Sequence, residues 1–271
     1  MSSRADNIPL QERTFFVRAG GHNLRVMTLT HPVPPKDGET MLVFLHEGLG
    51  SIGQWRDFPQ QLAEATGLSA LIYERYGFGG SEPLQEVRDA RYLEREAHDT
   101  LPELLALCGV TVPILIGHSD GGTLALLYAA RFPEYPRGVI TEAAHVLIEE
   151  VTLAGIHEAV KAFETGGLRE KLERFHGDRT DAMFHGWSDT WLMPVFREWN
   201  MLDRLKDIRC PLLAIQGTDD EYGTEVQLQA ICDRVSGLTE SLMIPECGHI
   251  PHHQAREVVL AAMIRFIGQL K

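Results

Sequence analysis

The chain has 271 residues, a formal net charge of −13 and four cysteines. That length allows one large domain, or a core carrying a modest insertion, stable without disulfides. The charge repels phosphate backbones and anionic lipid surfaces, and no run of Lys and Arg overrides it locally, so neither nucleic acid nor a membrane is an expected partner. Residues 1–18 mix Arg4, Asp6, Glu12 and Arg13 with few apolar residues and lack the apolar centre of a secretory signal. No apolar run approaches the ~18 residues of a membrane span. Cys108, Cys210, Cys232 and Cys247 form no C-x-x-C pair and read as ordinary buried thiols, which together predict a cytoplasmic protein.

Two stretches at 14–17 and 24–28 predict a lead-in hairpin turning at Gly20-Gly21. Short branched apolar runs follow at 41–45, 70–73, 114–116, 139–141, 212–215 and 242–244, separated by helical patterns at 54–65, 91–107, 121–131, 225–235 and 254–269. The alternation predicts a largely parallel sheet, its strands apolar on both faces because helices cover both. One segment breaks the rhythm. Residues 144–205 carry no strand-like run and are helical in period, interrupted at Gly166-Gly167 and Pro194. That is longer than a crossover needs, so the expected organisation is a core of 1–143 and 206–271 with a helical cap of 144–205 above the sheet's carboxyl edge.

Gly117-His118-Ser119-Asp120-Gly121 lies between the run at 114–116 and the helical run after it. A bare G-x-S-x-G is weak, but strand, sharp turn and helix is the arrangement that lifts a serine oxygen out of a sheet. Ser119 is therefore the candidate nucleophile, and the Asp120 amide at the helix start a candidate oxyanion donor. A serine hydroxyl needs a base, and the base a partner that fixes its tautomer. His249, after Gly248 in the loop between the last strand and the last helix, is the candidate base, with His252 and His253 next. The acidic loop Asp219-Asp220-Glu221 at the same edge offers the carboxylate. The glycine-rich His46-Glu47-Gly48-Leu49-Gly50 after an earlier strand offers a second oxyanion amide at Gly48, and neither a nucleotide-loop Lys nor G-x-G-x-x-G accompanies it.

These residues resemble the α/β-hydrolase superfamily from about residue 14 to 266. Tyr76-Gly77-Phe78-Gly79-Gly80-Ser81 is similar to the R-G-x-G-x-S loop of its capped, esterase-like branch, and Gly217-x-x-Asp220 to that branch's acid loop. The resemblance favours Asp220 over Asp219 as the acid. It also implies a mostly parallel eight-stranded sheet, a helical lid, no cofactor or metal, and a small-molecule ester or amide substrate. His-Glu-Gly-Leu-Gly replaces the commoner His-Gly-x-Pro-Gly, and in this the chain resembles hydrolase-fold N-acyl homoserine lactone acylases. Glu47, standing where glycine is usual, is either a pocket contact or a loop carboxylate facing water. Asp120 suits a helix amino terminus by charge alone.

Among the cap residues, Phe163, Phe175, Met183, Phe184, Leu192 and Phe196 suggest an apolar ceiling. Trp187, Trp191, Val195 and Trp199 recur every four residues, which predicts one helix stripe packed on the core, with Trp187 and Trp191 as candidate substrate contacts. Competing readings are a metal hydrolase using His46, His249, His252, His253 and the acidic loop, for which no H-x-x-E-H or H-E-x-x-H spacing exists, and a hydrolase-fold ligand receptor.

Overall fold

The computed structural model describes residues 9–32 and 40–270, so the first eight residues of the amino-terminal stretch lie outside it. Eight strands form one sheet: β1 (Gln11–Ala19), β2 (His22–Thr30), β3 (Thr40–Leu45), β4 (Ser69–Tyr73), β5 (Val112–His118), β6 (Gly138–Glu142), β7 (Leu212–Gly217) and β8 (Thr239–Ile244). Their spatial order is β1-β2-β4-β3-β5-β6-β7-β8, with β1 and β2 antiparallel, β2 and β4 antiparallel, and every later pair parallel. Gly20 and Gly21, at φ +60° and +82°, make the two-residue turn of the lead-in hairpin, a conformation that needs positive φ at both positions.

Each central strand splits its side chains between two cores. Val43, Leu45, Leu115 and Val139 pack on one face, and Leu42, Phe44, Ile116 and Ile140 on the other. Fully burying each such side chain contributes about 1.5–3 kcal/mol, which is why these strands are apolar on both faces through their middles.

Ten helices are described: α1 (Phe58–Thr66), α2 (Tyr92–Arg95), α3 (Leu101–Leu107), α4 (Asp120–Arg131), α5 (Glu150–Thr165), α6 (Leu168–His176), α7 (Thr180–Trp191), α8 (Glu225–Arg234), α9 (Pro251–Gln254) and α10 (Arg256–Gln269). Three expected helices are subdivided. A 3-10 turn, Ile52–Trp55, precedes α1; a π turn, Glu96–Thr100, joins α2 to α3; and a break at Ala255 separates α9 from α10.

Phe58 and Leu62 of α1 lie on one face of the sheet, Leu124 and Leu127 of α4 on the other. The connections leaving the neighbouring strands β3 and β5 thus go to opposite faces, opening a crevice at their carboxyl ends, where ligands of open α/β sheets bind. The 144–205 segment, with α5, α6, α7 and three 3-10 turns, the last running on to Asp207, touches the loops around that crevice. His176 bonds the Leu49 carbonyl (2.9 Å) and accepts from the Gly79 amide (3.0 Å). A single bridge pairs Leu147 with Asn200.

The four-residue tryptophan spacing does not mark one helix stripe. α7 ends at Trp191, and Pro194 begins a separate 3-10 turn because its ring cannot continue the hydrogen-bond ladder. Val195 is left exposed, while Trp199 packs on Phe196.

Candidate active site

Ser119 stands between β5 and α4 with φ 52° and ψ −116°, a backbone conformation that L residues rarely adopt. Its neighbours allow the tight approach this demands. A Cβ on Gly117 would sit 2.1 Å from the Gly121 carbonyl oxygen, and one on Gly121 would sit 1.9 Å from that of Leu45. The Ser119 amide is anchored on the Glu142 carbonyl of the adjacent β6.

The hydroxyl of Ser119 lies 2.9 Å from Nε2 of His249, and Nδ1 of His249 lies 2.8 Å from Oδ1 of Asp220. A carboxylate only accepts, so Nδ1 carries the proton and leaves Nε2 free to accept from the serine. Asp220 is buried, its Oδ1 also receiving the Tyr222 amide (2.9 Å) and its Oδ2 the Gln216 side chain (2.6 Å). Burial opposes its charge, but the His249 bond and positive field outweigh that and hold the carboxyl below its ordinary range. Burial likewise opposes protonation of His249, and the Asp220 carboxylate overcomes it, raising the imidazole pKa.

Asp219 is turned outward, exposed, and bonded to the Thr218 hydroxyl. Glu221 accepts the His249 amide at 3.0 Å. The other two candidate bases are engaged elsewhere or apart: His252 is buried against Glu142 (3.1 Å), and His253 packs on His252. His46 receives the Arg75 amide. Among the described residues no three His, Cys, Asp or Glu side chains gather as metal ligands.

A cavity of about 260 Å³ opens over Ser119, and Glu47, Gly48, Trp187, Trp191 and His249 line it. Among the described residues neither the Gly48 nor the Asp120 amide has a protein acceptor. Gly48 abuts Trp187 so closely that a Cβ there would meet the indole nitrogen at 2.2 Å. Glu47 is half-buried in the cavity wall, its Oε2 taking the Leu49 amide, and burial raises its pKa. Glu47 thus lines the cavity and does not stand in open solvent.

Sequence reasoning missed two supports. His118, within the elbow itself, donates to the His249 carbonyl at 2.6 Å and so ties the His249 loop to the strand that leads into Ser119; burial keeps it neutral. Beneath the elbow, Arg75 (3.2 Å) and the Tyr92 hydroxyl (2.7 Å) both donate to Oδ2 of Asp120, and the Trp191 indole donates to that hydroxyl (2.7 Å). Asp120 therefore fastens the elbow, through Tyr92, to Trp191 at the end of α7, a role beyond its fit to the helix terminus. Arg75→Met would strand a buried carboxylate and is expected to cost about 3–5 kcal/mol, read as a lower urea midpoint; adding Asp120→Asn should recover part of that loss.

The sequence pattern of the alpha/beta hydrolase family matches residues 42–262. The chain belongs to this family. Among its relatives, the α/β-hydrolase chain is 25% identical to a proline iminopeptidase of Lactobacillus delbrueckii subsp. bulgaricus over 252 residues, covering 79% of this chain and 84% of that one. It is 29% identical to the serine hydrolase BPHL of Mus musculus over 226 residues, covering 80% and 75%. Solved structures of the same fold include the proline iminopeptidase of Mycobacterium smegmatis (TM-score 0.71, 20% identity, 95% and 98% covered). A second is the 2-hydroxy-6-oxo-6-phenylhexa-2,4-dienoate hydrolase of Rhodococcus sp. strain RHA1 (TM-score 0.76, 14% identity, 95% and 99% covered). The protein is thus an α/β-hydrolase enzyme acting on ester or amide bonds, as the sequence predicted.

Proposed function

We propose that Ser119, His249 and Asp220 form a catalytic triad that cleaves a small acyl-chain-bearing amide or ester through an acyl-enzyme, with N-acyl homoserine lactones cut at the amide as the substrate class. The observation that carries it is the unbroken chain from Ser119 Oγ to His249 Nε2 (2.9 Å) and from His249 Nδ1 to Asp220 (2.8 Å) on the wall of one cavity. Ser119 Oγ attacks the carbonyl carbon while His249 Nε2 takes its proton. The amides of Gly48 and Asp120 hold the oxyanion, each such donor contributing about 3 kcal/mol in the transition state. His249 then returns the proton to the departing nitrogen or oxygen, and water, deprotonated by the same imidazole, releases the acid.

Ile156, Leu168, Leu172, Trp187 and Trp191 make an apolar wall suited to an acyl chain, with residues 144–205 acting as its lid. Relatives named peptidases extend the range of bonds from esters to amides. Four free cysteines accord with a cytoplasmic setting. Because the Asp220 carboxylate raises the His249 pKa, the acid limb of kcat/KM should lie above the ordinary imidazole value, activity falling as pH drops through it. A limb at or below that value would contradict the coupling.

Mass spectrometry of products decides the substrate. Amide cleavage yields free homoserine lactone and a fatty acid, whereas lactonase action yields an intact amide that has gained one water. Only ring-opened product, or no turnover while simple esters are cleaved briskly, would replace the acylase reading with lactonase or short-chain carboxylesterase activity.

A further inference from the structure

Two tryptophans line the cavity over Ser119, and their N–H groups are used differently. Trp191 turns its indole N–H into the protein, onto the Tyr92 hydroxyl (2.7 Å), so it offers a ligand only ring surface. A buried indole N–H ordinarily finds such a partner. Trp187 Nε1 has none among the described residues, and it is not sealed in. Ten unbonded side-chain polar atoms among those residues have almost no accessible surface, Trp55 Nε1 among them, and Trp187 Nε1 is not one of the ten. Trp187 as a whole is 7% exposed, and the surface it keeps belongs to the cavity it lines.

That nitrogen lies against the oxyanion loop. A Cβ on Gly48 would sit 2.2 Å from Trp187 Nε1 and 2.4 Å from Cδ1, so glycine at this position is what lets the edge of the indole come so close. Phe184, one turn back on α7, packs edge-on against the Trp187 ring (5.8 Å between centroids) and helps to hold it. The N–H is therefore a donor beside the Gly48 residue, in a wall otherwise made of Ile156, Leu168, Leu172 and Trp191. A carbonyl oxygen has two lone pairs, and the Gly48 and Asp120 amides occupy both. The third donor calls for a second oxygen. A plain hydrocarbon chain against this wall displaces water from the N–H and returns no acceptor, which weakens its binding. In a 3-oxo acyl group the second carbonyl is one carbon removed from the first, so the two oxygens can lie side by side and meet donors that are themselves neighbours.

We propose that Trp187 is a specificity-determining residue, its Nε1–H donating to the second oxygen of a 3-oxo acyl group and so selecting such chains over plain ones. This deepens the acyl-transfer reading and rests on it for which carbonyl is attacked, but the hydrogen bond itself is observable without turnover.

The protein has four tryptophans, so isotope-labelled protein gives four indole N–H resonances, and the one from Trp187 is assigned through its bonded carbons. Ser119→Ala protein is titrated with N-hexanoyl and N-(3-oxohexanoyl) homoserine lactone and, with a different leaving group, with ethyl hexanoate and ethyl 3-oxohexanoate. In each pair that binds, the 3-oxo ligand should move the Trp187 N–H resonance downfield and the plain one should not. The 3-oxo ligand should also bind about tenfold tighter, as expected where one ligand bonds the N–H and the other leaves it unsatisfied. Adding Trp187→Phe should bring the two affinities to within about twofold. Like shifts and affinities for the two chains, a preference that persists in folded Trp187→Phe protein, or no binding of either pair would overturn the proposal. If Trp187→Phe does not fold, the resonance decides alone: a shift specific to the 3-oxo chain upholds the donor, and its absence overturns it. The same shift and preference in parental protein that hydrolyses neither esters nor amides would uphold the donor and reject only the hydrolytic reading.

Discussion

Ser119→Ala is expected to lower turnover by about three to six orders of magnitude, the range in which loss of a triad serine leaves only binding and oxyanion stabilisation. The fold should survive. The substitution removes one hydroxyl that bonds only His249, and alanine accepts the same backbone conformation no worse than serine, so the urea midpoint should move little. The comparison requires purified, folded variant and parent on the same substrate. A folded variant turning over at the parental rate would remove Ser119 from the chemistry.

Asp220→Asn comes next in size. A comparable change in a serine protease lowers turnover about 10⁴-fold, and here the surroundings leave the amide no good orientation. If its oxygen faces His249 and the Tyr222 amide, its NH₂ opposes the Gln216 NH₂. If it is flipped, its NH₂ opposes the Tyr222 amide and forces His249 into the wrong tautomer. Asp219→Asn, on an exposed side chain bonded only to Thr218, should change activity by no more than a few-fold. The reverse ranking would transfer the role to Asp219.

That pair also marks where sequence reasoning stops. Strand, turn and helix around Ser119 are local properties, written in apolar runs and glycines, and so was the order of serine, acidic loop and histidine. Asp219 and Asp220 are chemically identical neighbours, so residue chemistry left both open and only the Gly217-x-x-Asp220 resemblance favoured the second; the turn after β7 gives the physical reason, because the Asp219 amide pairs with the Cys247 carbonyl and Asp220 is left facing inward. Single bonds of the Arg75–Asp120–Tyr92–Trp191 network join residues up to 99 positions apart, and no spacing rule reaches that far. His118 was in view as part of the elbow motif, yet its partner is a backbone carbonyl 131 residues away. The tryptophan spacing misled for a local reason. A period of four persists in the sequence past residue 191, but Pro194 ends the helix that would have given it meaning.

Activation of Ser119 is the central claim, and covalent labelling by a fluorophosphonate tests it most directly because only an ionisable, base-assisted serine reacts rapidly. Peptide mapping after labelling should place one adduct on Ser119, absent in Ser119→Ala and slowed at least about 100-fold in His249→Ala. An adduct on a different serine, no adduct at all, or labelling of Ser119 at the parental rate without His249 would contradict the account.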